Sequence, residues 1–167
     1  MKLKILLALA AVFVIIQFFR PSKNLSNDES NSIKNAYVVP QHVEAILQKA
    51  CADCHSNKTD YPWYANIQPI GWWLNNHIEE GKDELNFSTF TTRRIASQNH
   101  KFEEIVELVE NGEMPLPSYT WLGLHPEAKL SDEEKEMIIT WAEEQMNQLK
   151  QKYPADSLVV RRPNTPI

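Results

Sequence analysis

The chain has 167 residues, 43% of them hydrophobic and 23% charged, with ten prolines against four glycines. That length holds one domain of ordinary size plus extensions, and the excess of proline over glycine points to extended connections rather than a β-rich fold with glycine turns. A formal charge of -5 without a basic cluster argues against nucleic acid as a partner, because phosphates demand a dense Lys/Arg surface.

Residues 1–20 place Lys2 and Lys4 before an apolar run from Ile5 to Phe19, broken only by Gln17 and closed by Arg20. A positive start followed by an apolar stretch is the pattern of an export signal, whereas a core helix would carry a polar face. The small-residue cleavage site that should follow is missing, since residues 15–20 are bulky. The reading is therefore an uncleaved anchor, a membrane helix with Lys and Arg snorkelling at its ends and Lys2 and Lys4 on the cytoplasmic side. Residues 21–36 are polar and rich in Ser and Asn, the composition of a flexible tether.

The folded domain is expected over residues 37–152. Val43, Ile46, Leu47 and Ala50 recur at helical spacing after Pro40, and the helix they predict runs straight into Cys51. Residues 56–67 hold Asn, Pro, Tyr and Trp without periodicity and predict a loop packed by its aromatics. A helix follows over 69–80, with Ile70, Trp73, Leu74, His77 and Ile78 on one stripe and Gly81 as its stop. A third helical region spans 88–111, where Phe102, Ile105, Val106 and Val109 turn inward and Gly112 ends the run. Pro115, Pro117 and Pro126 make 113–129 an extended loop. The last helix opens at Ser131 with Glu134 three residues on, a capping box, and turns Ile138, Trp141, Ala142, Gln145 and Leu149 inward. Residues 153–167 read as a surface tail. The expected fold class is all-α, four helices joined by long loops.

Chemistry enters at Cys51-Ala52-Asp53-Cys54-His55, the CxxCH spacing of c-type haem attachment. Two thiols three residues apart on a helical turn each form a thioether with one porphyrin vinyl group, and the next imidazole falls beneath the iron. These are the only two cysteines. A structural zinc site would need two further ligands at paired spacing, and a redox dithiol usually sits at a helix N-terminus, whereas this pair ends an amphipathic helix. The expected cofactor is one covalently attached haem c with His55 on its iron. For the sixth position Met114 is the candidate, in a proline-stiffened loop after a helix, and a thioether there favours ferrous iron. Its bland alternative is a methionine filling a gap in the core. His77, on the face shared with Trp73, is the rival ligand, or else a partner for a haem propionate. His42, His100 and His125 read as surface or loop residues. Trp63, Tyr64, Trp72, Trp73, Tyr119 and Trp121 read as pocket walls and core.

The succession Cys51 to His55, Pro62-Trp63-Tyr64, His77 to Gly81, Leu85 to Ser88, Gly112 to Pro115, and Leu130-Ser131 with Glu134 and Trp141 resembles the bacterial haem-binding-domain family of single-haem cytochromes c. The resemblance covers about residues 43–141. It implies a cytochrome c-like helical fold, haem at Cys51, Cys54 and His55, and Met114 as the distal ligand. Met114 is followed by Pro115-Leu116-Pro117, where such loops commonly have adjacent prolines. With both axial positions filled, the expected role is an electron carrier rather than an enzyme. It would be held by residues 1–20 at the periplasmic face of a bacterial inner membrane and serve membrane or periplasmic redox proteins. The alternative is a haem sensor or peroxidase-like enzyme with a displaceable Met114, to which His77 and Arg93 or Arg94 would be conscripted. The sequence says nothing of oligomeric state.

Overall fold

The structure, a computed structural model, describes residues 1–120 and 124–161. Among these residues the fold is all-α, as the periodicity predicts. The helices are α1 (Lys2–Ile16), α2 (Gln41–Ala50), α3 (Ala52–His55), α4 (Ile70–Glu84), α5 (Ile95–Glu110), α6 (Pro117–Thr120) and α7 (Asp132–Lys152), with 3-10 turns between them.

The core forms where α5 and α7 lie along each other and α2 crosses α7. Phe102 meets Trp141 edge-on with ring centroids 5.6 Å apart and Tyr37 at 5.0 Å, and Phe90 tilts against it at 5.2 Å. Val43, Ile46 and Leu47 of α2 join this cluster. Each such side chain fully buried contributes about 1.5–3 kcal/mol. The inward face of α7 is the one its spacing predicts, with Ile138, Trp141, Ala142, Gln145 and Leu149 all buried. Its capping box is complete: the Glu134 amide donates to Ser131 Oγ at 3.2 Å and the Ser131 amide to Glu134 Oε2 at 3.0 Å. Acidic residues fill its first turn, and Lys150 and Lys152 its last, matching the helix dipole.

Several expectations change. Helix α4 runs past Gly81 to Glu84, so Gly81 is a point of contact rather than a stop. A Cβ at Gly81 would lie 2.8 Å from the Cys54 carbonyl oxygen, and glycine lets α4 close on α3. The region 88–111 divides into a 3-10 turn, Phe87–Thr92, and α5. Asn86 caps the turn by accepting from the Ser88 amide at 2.9 Å. Arg93 then stays extended, with its guanidinium donating to the Asp83 and Glu84 carbonyls at 2.9 Å each. The loop over 113–129 carries α6 and a 3-10 turn, Pro126–Ala128. Beyond α7 the chain folds back far enough to bury Leu158.

The segment read as a free tether is docked. Asn24 is buried, donating from Nδ2 to the Ser56 carbonyl at 2.9 Å and to Thr59 Oγ1 at 3.0 Å. Its amide donates to Tyr61 Oη at 2.8 Å and its Oδ1 accepts from Lys82 at 2.8 Å. Ile33 enters the core through the 3-10 turn Ile33–Asn35. As for the expected membrane helix, α1 is apolar and exposed but has 15 residues, about 22 Å at 1.5 Å per residue. Among the described residues no helix is long and apolar enough to cross a membrane.

Candidate functional site

The CxxCH segment is wedged between two apolar clusters. Cys51 packs on the main core, while Cys54 packs on Tyr64, Leu74 and Ile78. The Cys51 amide closes α2 on the Leu47 carbonyl at 2.9 Å, and the His55 amide returns to the Cys51 carbonyl at 2.9 Å, so α3 is a single turn that carries both Cys54 and His55. Burial pushes the Cys51 thiol up to about 12, with the neighbouring Cys54 adding to it. Burial likewise raises Cys54 to about 11, helped by Asp53. Both sulfurs therefore stay protonated at neutral pH, the reverse of the depressed thiol that disulfide exchange uses.

His55 Nδ1 lies 2.8 Å from the Gly81 carbonyl and 2.9 Å from the Leu85 carbonyl. Both partners only accept, so the proton belongs on Nδ1 and Nε2 keeps a free lone pair. Burial holds the imidazole below its ordinary pKa; the two carbonyl bonds oppose that shift and Lys101 adds to it. A backbone partner on the far ring nitrogen is the usual way a metal-binding imidazole is oriented.

Helix α5 ends at Glu110, and Gly112 adopts φ 71°, the left-handed conformation that suits glycine. The amides of Glu113 and Met114 then both return to the Leu108 carbonyl, at 2.9 and 3.1 Å. This turn brings Met114 to a cavity of about 630 Å³ that Cys51, Cys54, His55 and His77 also line. Its walls include Phe87, Ile105 and Leu116. All five ligand candidates read from the sequence thus meet at one place.

Lys101 was missed. It is buried on the cavity wall, its Nζ 2.6 Å from Glu104 Oε2 and 3.2 Å from Glu84 Oε2. A legible signal existed, since a lysine four residues before Ile105 interrupts the apolar stripe of α5. His125 lies in a loop, as one of the two readings had it, but is buried rather than at the surface. Its Nδ1 donates to Glu127 at 3.1 Å, leaving Nε2 to accept from Tyr64 Oη at 2.5 Å, and Tyr119 stacks on its ring at 4.1 Å. Tyr119 in turn donates to Asp53 Oδ2 at 2.7 Å, which ties the 113–129 loop to the CxxCH turn. His42 and His100 are exposed as expected. Trp63, Trp72 and Trp73 are exposed rather than buried, and Trp121 lies outside the described residues.

An apolar cavity in the range of small-molecule and cofactor sites, about 300–1,000 Å³, with a free imidazole nitrogen, two neutral thiols and a soft thioether sulfur on its walls, suits a flat metal macrocycle. The fold and the site together define a helical cofactor-binding domain. The chain matches the haem-binding domain family over residues 11–144, and it belongs to that family. Haem is accordingly its ligand, and the donor set fits it. The match begins inside α1, so the docked segment 21–36 falls within it. No curated protein and no solved structure matches the chain.

Proposed function

We propose that the protein is a monohaem c-type cytochrome that carries electrons, its haem c held by thioethers to Cys51 and Cys54 and by His55 and Met114 on the iron. The reading rests above all on the His55 imidazole, fixed by two carbonyl oxygens so that Nε2 is free beside both thiols and Met114 in one cavity. Bound there, the haem would supply one-electron exchange between ferric and ferrous iron.

The chain's own residues divide the remaining work. Cys51 and Cys54 would hold the haem by adding their S–H bonds across its two vinyl groups, which gains or loses no electrons. Gly81 and Leu85 orient His55. Met114 is preferred to His77 because His77 lies one turn of α4 before Gly81, whose carbonyl holds His55, about 6 Å along the same helix. His77 thus belongs to the wall of the proximal imidazole, while Met114 arrives from the end of α5. With His55 and Met114 both holding the iron, outer-sphere transfer would be favoured over catalysis.

The exposed apolar segment 1–20 supports attachment to the bacterial inner membrane with the domain on the periplasmic side, near membrane or periplasmic redox partners. Since α1 alone falls short of a bilayer core of roughly 30 Å, the proposed attachment rests on the exposed apolar surface of residues 1–20 rather than on a helical span.

The test is a pair of measurements on protein matured with haem. Haem should resist acid extraction and give the pyridine haemochrome of two thioethers; haem that extracts freely sinks the covalent reading. Oxidised protein should show a weak sulfur-to-iron band at the red edge of the visible spectrum, and Met114→Ala should abolish it, lower the reduction potential and admit carbon monoxide. If wild type lacks the band and binds carbon monoxide readily, the sensor or enzyme replaces the carrier.

A further inference from the structure

Leu25, Val38, Leu124, Met137, Val159 and Val160 are exposed apolar side chains spread along the chain, but four others lie on two neighbouring segments. Trp63 is 75% exposed in the 3-10 turn Trp63–Asn66, and Ile70, Trp72 and Trp73 are 45%, 38% and 43% exposed in the first turn of α4. The two segments abut, since a Cβ on Gly71 would fall 2.4 Å from the Ala65 carbonyl oxygen. Single exposed hydrophobics need no explanation, but a cluster holding three of the chain's five tryptophans does.

This cluster sits where the apolar N-terminal element joins the domain. Gln17 closes two bonds to the backbone of Gln68: its Nε2 donates to the Gln68 carbonyl at 3.1 Å and its Oε1 accepts the Gln68 amide at 2.9 Å. Trp72 Nε1 donates to the Phe19 carbonyl at 2.6 Å. Phe18 and Phe19, themselves exposed, therefore continue into Ile70 and Trp72 without a spacer. Arg20 and Lys23 flank this junction, and no acidic side chain precedes Asp28 in a chain that is acidic overall. Tryptophan is the residue enriched at membrane–water interfaces, where its ring meets acyl chains and its N–H meets headgroups, and basic residues beside it pair with anionic lipid.

We infer that Trp63, Ile70 and Trp72, continuous with Phe18 and Phe19, form an interfacial surface by which the domain lies directly on the anionic bilayer that anchors its N-terminus. The inference rests on the membrane attachment proposed above and adds that the domain is docked rather than free to swing. It also fixes the haem cavity. Trp73 tilts against His77 with centroids 4.4 Å apart, and His77 lines the cavity, so α4 carries both the membrane face and a cavity wall. Gly81 follows Ile70 by eleven residues, so the carbonyl that holds His55 stands no more than about 16 Å along α4 from the interface.

The test uses full-length, haem-loaded protein in vesicles of phosphatidylethanolamine and phosphatidylglycerol, with the photocrosslinker p-benzoylphenylalanine replacing Leu9, Trp63, Ile70 or Glu143 one at a time. Glu143 is exposed on α7, which packs on α2 and α5. After illumination, mass spectrometry should find lipid adducts at positions 9, 63 and 70, at least tenfold above position 143. Adducts at position 9 alone would leave the anchor standing and overturn the docking. Lipid adducts at none of the four would remove the attachment and the docking together. Equal yields at 63, 70 and 143, or adducts to protein at 63 and 70, would also overturn it.

Discussion

The carbonyl of Gly81 holds the His55 imidazole, and the missing side chain of Gly81 lets that carbonyl come close. Gly81→Ala would push a Cβ to 2.8 Å from the Cys54 carbonyl and 3.1 Å from its Cβ, atoms of a helical turn that cannot rotate away. Such overpacking costs about 1–3 kcal/mol, which in a chain of this size lowers Tm by roughly 2–4 °C per kcal/mol. Thermal unfolding of the haem-loaded variant checks this, and an unchanged Tm would mean that α3 and α4 are not so tightly apposed. Tyr37 makes a different case. Its hydroxyl donates to Gln98 at 2.5 Å amid Phe90 and Phe102, and burial, with Tyr153 adding to it, raises its pKa to about 12. An unfolded tyrosine ionises near pH 10, so the stability Tyr37 contributes is complete below about 10 and is lost as pH rises towards about 12. Tyr119 is raised as well, by burial first and by its bond to Asp53. Tyr37→Phe should therefore flatten the alkaline loss without abolishing it, and urea midpoints at neutral and alkaline pH read the difference.

Among the elements, α7 was legible because its signals are local. Ser131 and Glu134 satisfy each other's amides, and the inward residues recur at helical spacing whatever else the chain does. Ser131→Ala should cost about 1 kcal/mol, visible as a lowered midpoint of chemical unfolding with the haem spectrum of the folded protein unchanged. A midpoint that stays put would show the cap to be redundant with the packing of Ile138 and Trp141. The errors in reading fall where a residue answers to a distant element. Gly81 looked like a stop because glycine usually ends helices, yet its reason for being glycine is Cys54, which lies on another helix. Arg93 breaks the region 88–111 to satisfy the last carbonyls of α4, a demand no periodicity reveals. His125 and Lys101 were misjudged or missed for the same cause, since Tyr64, Tyr119, Glu84 and Glu104 reach them through space. The CxxCH turn, by contrast, is local: Cys51, Cys54 and His55 stand within five consecutive residues, and the fold keeps all three on one cavity wall.

At the scale of the whole molecule, the polar segment between the apolar helix and the domain decides whether the cavity has a fixed orientation. Composition makes residues 21–36 a tether, because hydropathy cannot see that the side chain of Asn24 finds three partners and its backbone amide a fourth. Asn24 bonds Ser56 and Thr59, just after the CxxCH turn, and Lys82 at the end of α4, while its own amide meets Tyr61. Asn24→Ala would strip the side-chain bonds and leave buried partners unpaired, at about 1–3 kcal/mol. That cost falls on the local docking of the strap rather than on the α5 and α7 core. Trypsin reads it at the Lys23–Asn24 bond, because cleavage tracks the population of the locally opened chain when opening and closing are fast. Each 1.4 kcal/mol is tenfold in that population, so the variant should be cut on the order of tenfold faster at Lys23 than the wild type. Cleavage at Lys101, inside the core, should not accelerate to match. A wild type already cut at Lys23 as fast as the variant would return the segment to a free tether, and the cavity would then have no fixed orientation relative to α1.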